Sequence, residues 1–168
     1  MDKIVIVYGS SVGNTRFVAE RASQILPDAL LLPIKEFTPE ILKSYTFVII
    51  GTSTWGVGQF QDDYENFVAR IHEFDFTEKT VALFGVGDQY NYPDTYCDGM
   101  GKLYEVLKSA GAKLVGKWSS DDYNFSQSKA LNDDGFFVGL ALDEDNEPDL
   151  TPYRLKKWLK SIGIQLTE

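Results

Sequence analysis

The chain has 168 residues, of which 43% are hydrophobic and 14% aromatic, which suits one folded domain with a substantial core and excludes a disordered protein. Lys and Arg number 16 against 25 Asp and Glu, and the net charge of −9 argues against a nucleic-acid binder, which needs basic surface to neutralise phosphates. The single cysteine, Cys97, rules out an internal disulfide. The N-terminus enters a strand pattern without the features of a signal peptide, and no apolar run approaches a membrane span, so the expectation is a soluble, cytoplasmic protein with no membrane insertion, unless a transit peptide has been removed; a monomer is expected.

Strand-like apolar runs recur at residues 4–8, 29–32, 47–50, 81–86, 113–118 and 136–142. Helical patterns lie between them. The first carries Val18, Ala19, Ala22, Ile25 and Leu26 on one face. A short helix follows Thr38-Pro39, a cap residue followed by proline. Tyr64, Phe67, Val68 and Ile71 form one apolar stripe, and Leu103, Val106, Leu107 and Ala110 another. The last helix is expected to start at a second cap-proline pair, Thr151-Pro152, with Leu155, Trp158, Leu159 and Ile162 on its inner face. Continuous apolar strands alternating with helices predict a parallel sheet covered on both faces, an α/β fold in one domain spanning 1–168.

Residues 119–135 break the alternation. They are polar and lack a helical pattern, which reads as one edge strand interrupted by an inserted loop. From Asp121 to Asp149 there are nine acidic residues and one basic residue, Lys129. That run reads either as a solvated face or as a docking surface for a basic partner.

Three strand ends carry loops of unusual composition. The first is Gly9-Ser10-Ser11-Val12-Gly13-Asn14-Thr15, running from a strand into a helix. A helix start offers unpaired N–H groups and the positive end of a dipole, so this is an anion site. It lacks the Gly-Lys-Ser/Thr ending of a triphosphate loop, and the spacing of Gly9 and Gly13 does not fit a dinucleotide fingerprint. What remains is a cradle for one terminal phosphate, with Ser10, Asn14 and Thr15 as side-chain donors; a serine-rich helix cap would look similar. The second loop, 51–58, contains Thr54, Trp55, Gly56, Val57 and Gly58, a tryptophan among glycines that is poorly placed for a core. The third, 87–94, contains Gly87, Asp88, Tyr90 and Tyr92. Each alone could be a surface turn. Together they point to a planar aromatic ligand carrying a phosphate.

The segments GSSVGNT, TWGVGQFQDDYENF from Thr54, LFGVGDQYNYPDTYCDG from Leu83 and FFVGLALDEDNEPDLT from Phe136 resemble the flavodoxins over essentially the whole chain. Residues 119–135 match the insertion that marks the long-chain group. The resemblance implies a doubly wound five-stranded parallel sheet of order 2-1-3-4-5, its fifth strand split by the inserted loop. It implies non-covalently bound FMN, with Ser10, Ser11, Gly13, Asn14 and Thr15 around the phosphate and Thr54 assisting. Val12 stands where that loop usually has a third hydroxyl. Trp55 and Tyr92 would cover the two faces of the ring, with Tyr90 beside them. The peptide at Gly56-Val57, next to Gly58, would face N5. Gly87 and Asp88 would meet the pyrimidine edge, and Asp145 would lie near the ribityl chain. Ser53 replaces a common proline, and Cys97 occupies a position often held by glutamine.

The implied function is a low-potential one-electron carrier, not an enzyme. Its implied partners are redox proteins such as ferredoxin-NADP reductase, photosystem I or other ferredoxin-dependent acceptors. An FMN-dependent NAD(P)H or quinone reductase is the alternative on the same fold. A phospho-receiver domain is disfavoured, because its acceptor aspartate is missing where the third strand runs through Ile50-Gly51-Thr52. His72 reads as a solvated residue at a helix end, and Arg16 as an exposed helix residue.

Overall fold

The computed structural model describes residues 2–9, 13–54, 62–164 and 166. Strands β1 (Ile4–Tyr8), β2 (Leu30–Pro33), β3 (Phe47–Ser53), β4 (Thr80–Val86), β5 (Lys113–Val115) and β6 (Leu140–Leu142) alternate with helices α1 (Gly13–Ile25), α2 (Pro39–Lys43), α3 (Asp62–Ala69), α4 (Asp98–Ser109) and α5 (Thr151–Ser161). The sheet runs β2-β1-β3-β4-β5, and β6 also pairs with β4. Every pairing is parallel. β5 lies beside residues 80–82 of β4 and β6 beside residues 84–86, so the two short strands share one edge position. The split fifth strand expected from the insertion is therefore present.

The strands are continuously apolar because both sheet faces are covered. Alternate residues serve opposite layers. Val5, Val7, Val48, Ile50, Val81 and Leu83 enter one core with α3 and α4. Ile6, Ile49, Ala82, Phe84 and Val86 enter the other with α1 and α5. Thr38 caps α2 as expected, its side chain accepting from the Ile41 N–H at 3.2 Å. The start of α5 differs from expectation. A 3-10 turn at Pro148–Leu150 runs directly into the helix, so Thr151 already has helical angles (φ −58°, ψ −46°) and its hydroxyl caps nothing. A capping side chain requires an extended backbone at the cap position.

The edge strand also stops earlier than its apolar run. Gly116 turns to φ +95°, where its carbonyl accepts from the Trp158 indole at 2.8 Å. The loop that follows is pinned at its neck by two hydrogen bonds between Trp118 and Phe137, at 2.9 and 2.8 Å. Its polar sequence conceals an apolar underside. Phe125 stacks on Tyr96 at 5.6 Å, Tyr123 meets Phe137 edge-on at 5.0 Å, and Ala130 is fully buried.

The chain goes out from β1 to β2 and then returns to place β3 on the other side of β1. That reversal opens a crevice at the carboxyl ends of β1 and β3, the ligand position in open α/β sheets, a rule for which flavodoxins are themselves a standard illustration.

Candidate functional site

At the crevice, β1 ends beside β3, with Tyr8 opposite Gly51. The buried Tyr64 of α3 donates its hydroxyl to the Gly51 carbonyl and so holds the end of β3. Helix α1 begins at Gly13. Thr15, in its first turn, is fully buried, and its Oγ1 has no partner among the described residues. The Asn14 side chain reaches across to Asp145. Arg16 pairs with Glu20 at 2.9 Å on the exposed face. Ser10, Ser11, Val12, Trp55, Gly56, Val57 and Gly58 lie outside the described residues.

Thr54 has a structural task. Its Oγ1 accepts from the Gly99 N–H at 2.9 Å, so it caps α4 from outside that helix. A Cβ on Gly99 would lie 2.9 Å from the Ser53 carbonyl, so only glycine lets α4 come this close. The Thr54 hydroxyl keeps its proton available for a ligand. Cys97, the residue before α4, sits at φ +55° and is buried, with its thiol pushed well above the ordinary range by burial. That places the side chain in the core beneath the 87–96 loop.

The Gly87 N–H donates to the Leu142 carbonyl at 2.9 Å, extending the ladder between β4 and β6. Any contact from Gly87 to a ring edge then comes from its carbonyl. The Asp88 carboxylate is engaged within the loops. It accepts from the N–H groups of Tyr90 at 3.1 Å and Asn91 at 2.9 Å, and from the side-chain amides of Asn91 at 2.7 Å and Asn146 at 2.8 Å. Its carbonyl accepts from the Tyr92 N–H at 2.9 Å, which leaves its own N–H to face a ligand. Tyr90 is turned to the inserted loop, its hydroxyl accepting from the Asn124 side chain at 3.2 Å. Tyr92 keeps 55% of its surface exposed, an unusual state for an aromatic ring beside a strand end.

Behind this loop lies a polar cluster that sequence reasoning missed. Gln89 is fully buried. Its Nε2 donates to Asp143 at 2.9 Å and to Glu147 at 2.6 Å, and its Oε1 accepts from the Asn124 N–H at 2.6 Å. Asp143, also fully buried, receives the Gln89 N–H at 3.2 Å and both the main-chain and side-chain N–H of Asn146. Arg154 of α5 is 5% exposed and lies between Glu147, at 3.4 Å, and the ring of Tyr123, whose centroid is 4.3 Å away. In one dimension these residues look like polar loop letters. Their only warning is an aspartate and a glutamine close behind fully apolar strands.

The flavodoxin family model matches residues 6–158. A Synechocystis flavodoxin is 42% identical over 165 residues, covering 96% of each chain. Flavodoxin 1 of Escherichia coli K12 is 40% identical over 163 residues, 96% of this chain and 93% of its own. The crystal structure of Fusobacterium nucleatum flavodoxin bound to flavin mononucleotide has a TM-score of 0.88 at 32% identity, covering 96% of this chain and 97% of that one. The chain belongs to the flavodoxin family.

As in flavodoxins generally, electron transfer with redox partner proteins is the role, and the charge around the crevice bears on it. The acidic run at 121–149 divides in the structure. Asp143 is buried and Glu147 is paired with Arg154, while Asp121, Asp122, Asp133, Asp134, Asp145 and Asp149 face solvent. Burial alone would raise the Asp88 carboxyl, but the hydrogen bonds from Asn91, Asn146 and Tyr90 outweigh it and hold it below the ordinary range. Asp145 moves the other way, raised by burial and by the nearby Asp88 and Asp143, against the hydrogen bond from Asn14. The signs give opposite pH behaviour. Asp88 contributes stability that is lost as pH falls through its lowered pKa. Asp145 imposes a cost above its raised pKa that is relieved as pH falls through it. Asp145→Asn should therefore stabilise the apoprotein at pH 7 by a few tenths of a kcal/mol, the group being solvent-screened. The gain should shrink as the pH enters the carboxylate range. Urea midpoints of both proteins at pH 7 and pH 4 check this, and an equal difference at both would show that Asp145 is unstrained.

Proposed function

We propose that this chain is a low-potential one-electron carrier that binds FMN non-covalently at the carboxyl ends of β1, β3, β4 and β6. The observation that carries the reading is the buried, unpartnered Thr15 hydroxyl in the first turn of α1, the helix that follows β1. An orphaned donor there fits a phosphate, which needs N–H and O–H groups at a helix start. FMN, when bound, supplies the one-electron redox chemistry.

The chain's own residues would bind, orient and shield the group. Ser10, Ser11, Gly13, Asn14 and Thr15 would hold the phosphate, with Val12 in the same loop contributing no donor. Thr54, anchored by Gly99, fixes the start of the segment carrying Trp55, Gly56, Val57 and Gly58. Trp55 and Tyr92 would cover the ring faces and exclude water. The main chain at Gly87 and Asp88 would meet the ring edge. Asp88 and Asp145 place negative charge near the slot, which disfavours added electrons and lowers the potential. The exposed aspartates suit a basic redox partner, such as ferredoxin-NADP reductase or photosystem I. The insertion fits the long-chain group. No described helix is long and apolar enough to cross a membrane, and a cytoplasmic setting fits these partners.

Adding FMN to the apoprotein should give a yellow complex with quenched flavin fluorescence, and riboflavin should bind more weakly for want of the phosphate. An apoprotein that takes up neither would defeat the proposal. Steady NADPH oxidation by the pure protein would point instead to a reductase. Trp55→Ala should weaken FMN binding and raise the lower of the two one-electron potentials, as read by redox titration; an unchanged potential would remove Trp55 from the ring slot.

A further inference from the structure

Residues 124–128 of the inserted loop bond to the 87–96 loop at several points. The N–H groups of Ser126 and Gln127 donate to the Pro93 carbonyl at 2.8 and 2.9 Å. The Ser128 hydroxyl donates to the Tyr96 carbonyl, and Asn124 reaches Tyr90 through its side chain. One buried side chain joins these loops to a third. Gln89 binds the inserted loop through Oε1 at Asn124 and the β6–α5 loop through Nε2 at Asp143 and Glu147. Its orientation is forced by chemistry. Rotating the amide would set its oxygen against two carboxylates and its NH2 against an N–H. The connection continues outward, because Asn146 bonds both Asp143 and Asp88.

We propose that Gln89 is a positioning residue through which the inserted loop sets the shape of the 87–92 segment at the cofactor's ring edge. This rests on the reading that the segment borders FMN. The chemistry at position 89 demands an amide. Methionine fills the same space and offers neither amide donor nor amide acceptor. Glutamate restores the acceptor but sets a third carboxylate against Asp143 and Glu147. The titratable and charged groups facing such a glutamate are Asp143 and Glu147 from the β6–α5 loop and Asp88 from its own loop through Asn146. Arg154 from α5 and Tyr123 from the inserted loop flank Glu147, and Tyr96 and Cys97 lie near Asp143. His72, the chain's one histidine, belongs to the turn Ile71–Glu73, after α3, and is no part of it.

The test compares the full-length wild type with Gln89→Met and Gln89→Glu, by FMN titration and by amide hydrogen exchange of the apoproteins. Gln89→Met should weaken FMN binding about tenfold and speed exchange at 87–96, 119–128 and 143–147 together, while β1, β3 and β4 keep their protection. Gln89→Glu should behave likewise at pH 7.5 and recover wild-type affinity as the pH falls toward 5, when protonation returns one donor. Unchanged FMN affinity, faster exchange in one loop alone, or faster exchange through the whole sheet would each overturn the proposal. Failure of the wild type itself to bind FMN would sink the cofactor reading instead, and the exchange pattern would still decide whether Gln89 couples the loops.

Discussion

Asp143→Ala lowers the stability of the apoprotein by about 3–5 kcal/mol. Asp143 is a fully buried carboxylate, and among the described residues no cation pairs with it. Its charge is held by four N–H groups, two from Gln89 and two from Asn146. Alanine leaves two main-chain N–H groups without this acceptor, that of Gln89 in a buried site and that of Asn146 in a half-buried one. Each such group costs about 1–3 kcal/mol. The side-chain amides fare better, since Gln89 keeps Glu147 and Asn146 keeps Asp88. Asp143→Asn should lose less, because its oxygen still accepts while its NH2 confronts the donors. Urea unfolding of the three apoproteins measures the order. A loss under about 1 kcal/mol for alanine would show that water replaces the carboxylate.

Thr15→Val should split stability from binding. The Thr15 hydroxyl is buried without a partner in the apoprotein, so the isosteric valine removes an unmet polar group. The apoprotein should be as stable as wild type or gain about 1 kcal/mol. A hydroxyl donating to a phosphate is a charge-assisted bond worth about 1.5–3 kcal/mol. FMN should therefore bind about 10- to 100-fold more weakly, and riboflavin, which lacks the phosphate, should be little affected. Thermal unfolding of the apoprotein and fluorescence titration with both flavins separate the two effects. Equal weakening for FMN and riboflavin would place Thr15 away from the phosphate. Val12→Thr, in the same loop, should hold FMN at least as tightly as wild type, and weaker binding would mean that Val12 packs there.

Much of the architecture is legible one residue at a time because its causes are local. The period-2 and 3.6-residue patterns locate the strands and helices, since burying a sheet face or a helix stripe is the dominant favourable term. The Thr38-Pro39 start is legible for the same reason, a cap acting within four residues. Thr151-Pro152 has the same letters but not the same geometry, because the preceding turn had already committed the backbone. Gly116 ended the edge strand through an approach to Trp158, which lies 42 residues away.

By itself, the sequence determined the α/β alternation, the split edge strand and the strand-end loops, and it suggests residues 9–15 as a phosphate cradle. Those features depend on residue type and spacing along the chain. Only the tertiary structure decided that Asp88 ties loops together, that Thr54 caps α4, that Asp143 is buried, and that a polar insertion carries an aromatic underside. A polar letter reads as solvent-facing until its partner is known, and Thr54, Asp143 and Asp88 each have a partner 45 to 58 residues away. The cradle gained one particular from the fold: a threonine hydroxyl in the first turn of α1, walled from solvent and still lacking an acceptor.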